Sequence, residues 1–239
     1  MNIADMIPRR RSVRTYKEEA IDAATLDDLR AYMDGLISLI PGAKVVGRII
    51  PTDHGTYWQK WKTPHFIAIF SDNSDEGLLN VGFMYQQLDL YAQSKGLGTC
   101  WVGLGSLTDA EPVPEGMKLA VMMAVGIPDG VAERTPADFK RKEMREITDQ
   151  PDERLEALRL APSATNSQPW FVTHVGDTLQ IWREELGLIK QRTLGRMNKI
   201  DMGIGLCHLY VENQATFCFW REENPPVLDG KIYIGSVKV

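Results

Sequence analysis

Cysteine is scarce in this chain: Cys100, Cys207 and Cys218 are the only three in 239 residues. An odd number, with no CxxC and no Cys/His ligand spacing, argues against a disulfide framework and a zinc site. It fits free thiols in a reducing compartment. Long apolar runs are missing as well. The longest, residues 119–127, is far too short to span a bilayer, and no apolar secretory segment opens the sequence. Positive charge is in deficit, with 27 Lys and Arg against 32 Asp and Glu, a net charge of -5. A nucleic-acid binder needs the opposite balance to displace counterions. The expectation is a soluble, cytoplasmic protein with neither a membrane nor a nucleic-acid partner. Motifs are absent too: no GxGxxG dinucleotide turn, no P-loop ending, no GxSxG nucleophile elbow. His54, His65, His174 and His208 show no metal or triad spacing, so no metal ligand and no catalytic side chain is nominated.

What is present reads as an ordinary globular chain, 44% hydrophobic and 25% charged. Thr25 and Asp28 suggest a capping box opening a helix through Leu29, Met33, Leu36, Ile37 and Ile40, stopped by Pro41-Gly42. Residues 65–71 (HFIAIFS) and 118–125 (KLAVMMAV) lack alternation and read as buried strands. Between them, residues 78–95 carry Val81, Met84, Leu88, Tyr91 and Ala92 at helical spacing before Gly96. Residues 137–147 and 151–160 suggest two charged helices. The segment FVTHV-GD-TLQIW, 171–182, is a hairpin signal. A helix over 201–215, a strand over 216–220 and a strand over 231–239 complete an α+β reading. A faint echo aligns Gly82–Leu88 with Gly203–Leu209, weak evidence of duplication on its own.

Four segments carry candidate chemistry. Four arginines fall between positions 9 and 14, beside Ser12. Guanidinium forks and a hydroxyl suit phosphate oxygens, although from spacing alone a solvated basic terminus or a localisation patch fits slightly better. The glycines of residues 96–105 (GLGTCWVGLG) let backbone approach a flat ligand, or simply stop a helix before a bulged strand. Arg134 with Lys140-Arg141-Lys142 is either a second anion clamp or a solvated face. In residues 161–170 (APSATNSQPW), two prolines enforce a tight connection and bias Gln168 to extended backbone. Its Ser, Thr and Asn side chains either satisfy that turn or hold a ligand with alternating donors and acceptors. Trp58 and Trp61 fit anchors of a long connection better than a lid.

Together these segments resemble the FMN-dependent nitroreductase family, through RRSVRTY (10–16), GLGTCWVGLG (96–105), the AVGIP…KRK run (124–142) and, most specifically, PSATNSQPW (162–170). The order departs from the family pattern, in which the PS..N.QPW segment follows soon after RS.R. Here it comes last, and residues 37–51 hold no Asn-x-Gln-Pro. Family members are intertwined homodimers with flavins at the interface. The resemblance is therefore to a single-chain, tandem-half subgroup: a nitroreductase-like fold with mixed or antiparallel sheets flanked by helices. Residues 1–150 form one degenerate half and 151–239 the other, intertwined as a pseudo-dimer with one flavin site.

The resemblance implies roles. Arg10 and Ser12, assisted by Arg11, hold the FMN phosphate, with Arg141 or Lys142 from the later segment. Arg14 lies by the pyrimidine edge of the ring. Pro162, Ser163, Ala164 and Asn166 line the ring, and the backbone of Val102, Gly103, Leu104 and Gly105 passes its reactive edge. The implied activity is ping-pong hydride transfer from NADH or NADPH, through flavin N5, to a small nitroaromatic or quinone-like acceptor. The alternative is a flavin carrier or sensor without turnover. A monomeric pseudo-dimer or a weak homodimer is expected.

Overall fold

The computed structural model describes residues 2–239. Its elements are α1 (Ala23–Asp34), β1 (Val45–Pro51), β2 (Gly55–Tyr57), β3 (His65–Ser71), α2 (Asp75–Ser94), β4 (Gly98–Val102), β5 (Gly105–Leu107) and β6 (Lys118–Gly126). They continue with α3 (Met144–Ile147), α4 (Glu156–Leu160), β7 (Trp170–Val175), β8 (Thr178–Glu184), α5 (Leu188–Glu212), β9 (Cys218–Trp220) and β10 (Lys231–Lys238). The α+β reading holds.

Two four-stranded sheets are built in the same way. One has the order β1-β3-β6-β4 and the other β7-β8-β10-β9. In each, two strands are followed by a long helix, then an edge strand, then a strand that inserts beside the second. All pairings between named strands are antiparallel. Among the described residues parallel geometry occurs only in isolated bridges, one of which joins Ser12 to Thr99 and lays the arginine segment along β4. β2 and β5 form a small separate ribbon.

The long helices α2 and α5 pack against each other through glycine. A Cβ at Gly82 would strike the carbonyl oxygen of Ile200, and one at Gly203 would strike that of Leu79. Positions 79 and 82 relate to each other as 200 and 203 do, so the crossing is symmetric. Around it Leu79, Phe83, Ile200, Ile204 and Trp170 join a continuous core. Residues 120–126 of β6 are buried, as their unbroken apolar run requires.

Several elements differ from the sequence expectation, each for a tertiary reason. The first helix starts at Ala23, with Asp22 as the cap whose side chain accepts from the Thr25 amide, and it ends at Asp34 rather than Ile40. Beyond it, α2 side chains capture the backbone. Asn80 Oδ1 accepts from the Leu39 and Ile40 amides, and Gln87 brackets Ile37. No helix runs over 137–147. A 3-10 turn at Pro136–Asp138 and the four-residue α3 replace it, because the amide side chains of Asn166 and Gln168 bind the Lys140 carbonyl and the Lys142 amide. The last helix begins at Leu188, well before 201. Its first turns expose Leu188 and Ile189 and so lack an amphipathic signal. β1 gave no sequence signal; at Gly47 the hydroxyl of Tyr85 stands where a Cβ would be. Trp61 does anchor, packing 5.3 Å from Tyr57 and 6.0 Å from Tyr16, whereas Trp58 is 87% exposed and anchors nothing.

Candidate flavin-binding site

The arginine segment is fixed by a buried network on α2. Arg10 is fully buried, and its Nε donates to Asp89 Oδ2 at 2.8 Å. Asp89 also accepts from Gln86, Gln93 and Thr99, while Gln93 Oε1 accepts from the Arg11 amide at 2.9 Å. Burial drives His208 down to about 3, so the imidazole is neutral. Nδ1–H then donates to the Ala157 carbonyl at 2.9 Å, and Nε2 accepts from Gln86 at 3.1 Å. One polar chain thus ties the arginine segment through both long helices to α4, next to the PSATN loop.

That loop is strained and held from all sides. Thr165, Asn166 and Gln168 have φ of 52°, 57° and 46°, values costly for residues with a Cβ. The extended geometry expected of Gln168 before proline is therefore overturned. Gln168 is over-determined instead: its amide donates to Ser163 Oγ at 2.9 Å, its Oε1 accepts from Lys142 N at 2.7 Å and its carbonyl accepts from Lys142 Nζ at 3.0 Å. Across the loop, Asp201 Oδ1 accepts from the Ala164 amide, and Asn198 Oδ1 from Ser167 Oγ.

Two adjoining cavities open between the arginine segment and this loop, sharing Ser12, Arg14, Pro162, Ser163 and Thr165 as walls. The first, about 720 Å³, is cationic. Arg10, Arg11, Arg134, Lys140 and Arg141 face it with Asn166. Its two acids are already engaged, Glu133 by Arg9 at 2.6 Å and Asp138 by Thr135. Arg141 donates to Asn166 Oδ1 and to the Leu160 carbonyl, and leaves Nε without a partner. Burial, together with Arg10, Arg134 and Arg159, pushes Arg141 down to about 9. Burial with Arg10 and Arg11 pushes Arg134 down to about 10. Guanidinium keeps its proton at neutral pH. Burial and the neighbouring guanidinium groups thus both disfavour these charges; Asp89 on Arg10 and Asp138 beside Arg134 offset the cost only in part, and a bound anion would reduce it further. The second cavity, about 670 Å³, is walled by Trp101, Leu104, Leu194, Met197, Ile200 and Ile204, with Gly103 and Ala164 at its edge.

Most of the expected site residues thus converge. Arg10, Arg11, Ser12, Arg14 and Arg141 meet Pro162, Ser163 and Asn166 at the first cavity, and Gly103, Leu104 and Ala164 border the second. Three residues border neither. Val102 is buried in β4, Gly105 lies against Met122, and the Lys142 side chain is spent on Gln168. Arg134 was legible only as part of a charge run. Asp201, a lone acid between apolar helix neighbours, was not singled out by any motif. Among the described residues no cluster of His, Cys, Asp and Glu is placed to hold a metal, and no helix is long and apolar enough to cross a membrane.

Asp201 is 3% exposed, and its Oδ2 has no partner. Burial pushes the carboxyl up to about 8, against an ordinary value near ~3.9 in the unfolded chain. Between these values the native state binds the extra proton, so stability falls as pH rises, by up to about 1.4 kcal/mol per pH unit. Asp201→Asn cannot ionise and keeps the acceptor for Ala164. The variant is expected to exceed the wild type in stability at pH 8, with the difference vanishing below pH ~4. Urea denaturation across that range checks the sign.

A model of the family described as "Putative TM nitroreductase" matches residues 2–213. Among solved structures, a "putative nitroreductase" from Thermotoga maritima superposes with a TM-score of 0.67 at 21% identity, covering 99% of this chain and 92% of that one. An "FMN-dependent Nitroreductase" from Clostridium difficile gives 0.45 at 16% identity, covering 56% of this chain and 93% of its own. A "Putative NADH dehydrogenase/NAD(P)H nitroreductase" from Parabacteroides distasonis gives 0.48 at 20%, covering 64% and 99%. No curated protein matches the chain.

Proposed function

The chain belongs to the nitroreductase family of that model, and on this premise we propose that it is an FMN-dependent oxidoreductase. In this reading it takes hydride from NADH or NADPH and passes it to a small quinone-like or nitroaromatic acceptor. The observation that carries the proposal is the paired cavity. A cationic chamber whose acids are already engaged adjoins an apolar slot, both fixed by the same strained loop. A phosphate-bearing planar cofactor matches this division in charge, polarity and size. Arg10 and Arg141 in the chamber wall are charged donors of the kind such an anion needs.

In this assignment Arg11, Arg134 and Arg141, with Arg10 and Ser12, hold the phosphate. Pro162, Ser163 and Ala164 line one side of the ring, and Gly103 and Leu104 another. FMN, when bound, supplies the two-electron chemistry. The protein orients the partners and excludes water, and Arg14, which faces both cavities, favours negative charge at their junction.

We read the chain as two nitroreductase-like halves, residues 1–150 and 151–239, in one intertwined unit with a single FMN site. The matching order of the two sheets and the symmetric Gly82/Gly203 crossing support this reading. Asn80 precedes Gly82 as Asp201 precedes Gly203, and each side chain binds the backbone of a loop. The loop held by Asn80 has no PSATN sequence, and the second half has no counterpart of the RRSVR segment, which favours one site. The expected solution state is a monomer or a weak homodimer in the cytoplasm.

The test is the flavin absorbance of FMN-loaded protein, with stoichiometry, before and after anaerobic NADH or NADPH. The expected result is one FMN per chain that bleaches. One FMN that stays oxidised supports a carrier or sensor, and no FMN overturns the proposal. Arg11→Ala and Arg141→Ala are each expected to weaken FMN binding by about 1.5–3 kcal/mol, roughly ten- to 150-fold in Kd. Fluorescence titration of FMN measures this directly, and unchanged affinity in both removes the phosphate assignment.

A further inference from the structure

Asp201 is the only acid among the described residues bordering the apolar cavity. It projects from α5, with Ile200 and Ile204 beside it in the same wall. One oxygen is satisfied by the Ala164 amide at 2.9 Å, and the other has no partner. Arg14 and Arg192 line the same cavity, yet neither pairs with the Asp201 carboxyl. A purely structural cap for the PSATN loop needs only one acceptor, and asparagine would provide it. Asn80 does so at the matching position of α2. A carboxyl at this position has a cost that the loop does not require, since an unpaired anion in an apolar wall is strongly disfavoured. Carrying its proton, the group is a hydroxyl donor at the edge of a slot with no other acid.

We propose that Asp201 is the proton donor to the electron acceptor, a quinone-like compound whose carbonyl oxygen occupies the partnerless side of the carboxyl. The inference rests on the oxidoreductase reading above. Two-electron reduction of a quinone to a hydroquinone consumes one hydride and one proton. NAD(P)H is the source of the hydride, relayed through the bound cofactor. The Asp201 O–H bond breaks as a new O–H bond forms on the acceptor. The resulting carboxylate regains its proton from water through the cavity mouth after the hydroquinone leaves. Burial, which holds the folded carboxyl near pH 8, keeps the donor loaded at neutral pH.

The experiment compares wild type and Asp201→Asn, both FMN-loaded, with benzoquinone and with ferricyanide, which accepts electrons without a proton. General-acid catalysis contributes about 10²–10⁴-fold, so the ratio of quinone to ferricyanide turnover is expected to fall by at least ~10² in the variant. The carboxyl band in infrared difference spectra of the cofactor-free protein gives a readout independent of turnover. A protonated carboxyl at pH 7 that disappears in Asp201→Asn is expected. An unchanged ratio, an equal loss with both acceptors, or no protonated carboxyl at pH 7 overturns the inference and leaves the oxidoreductase reading standing. A chain that binds no FMN overturns that reading itself, and this inference with it.

Discussion

Gly203→Ala is expected to destabilise the protein by about 3 kcal/mol, although alanine is the better helix former. The local preference favours the substitution by about 1 kcal/mol. Against it stands the crossing of α2 and α5, where the new Cβ would meet the Leu79 carbonyl oxygen and, at 2.7 Å, the Phe83 amide nitrogen. These are backbone atoms inside a hydrogen-bonded helix and cannot rotate away. The helices must separate, and the packing of Ile200, Ile204, Leu79 and Phe83 is lost with that movement. Gly82→Ala meets the Ile200 carbonyl by the same geometry and should cost as much. Gly195→Ala in the same helix is the control. Its Cβ would meet only the end of the Gln191 side chain, which can swing aside, so its stability should stay within about 1 kcal/mol of the wild type. Urea denaturation of the three variants decides the matter. Equal behaviour at positions 195 and 203 would mean that the two helices are not in backbone contact.

Asp89→Ala is expected to cost about 3–5 kcal/mol, because it leaves the buried Arg10 guanidinium without a counter-charge. The ion pair itself adds little net stability, since removing both charges from water offsets most of their attraction. The asymmetry between a broken pair and an absent one makes this checkable. Arg10→Met combined with Asp89→Leu should recover part of the loss. Gln86, Gln93 and Thr99 keep the recovery incomplete, because each loses a bond to Asp89. The double variant should nonetheless bind FMN at least tenfold more weakly, through the loss of a charged donor. Recovery of stability with undiminished FMN affinity would remove Arg10 from the phosphate site.

The network around Asp89 shows where local reading stops. Residues 78–95 announce α2 by periodicity, but nothing in that stretch says that Asp89 faces Arg10 or that Gln86 reaches His208 on α5. Such partners lie far apart in sequence and carry no shared period. The same limit explains the two helices that end early or never form. Residues 36–40 and 139–142 have helical composition, but their amides and carbonyls are taken by Asn80, Gln87, Asn166 and Gln168. A side-chain amide on another element competes for those bonds with the next helical turn, and burial decides in its favour.

What the sequence determined by itself was the set of parts. Apolar runs gave β3 and β6, helical spacing gave α2, a Gly-Asp turn gave the β7–β8 hairpin, and the arginine, glycine and PSATNSQPW segments gave nearly half of the residues that wall the two cavities. These signals survive in one dimension because each depends on neighbours within a few residues. Tertiary structure alone decided which cations remain unpaired, that Arg134 joins them, that Lys142 is spent on Gln168, and that Asp201 stands alone in an apolar wall. Charge pairing and desolvation depend on what surrounds a group in space. No local pattern encodes that, so these features became legible only when the arginine segment, the 162–168 loop and α5 came together in space.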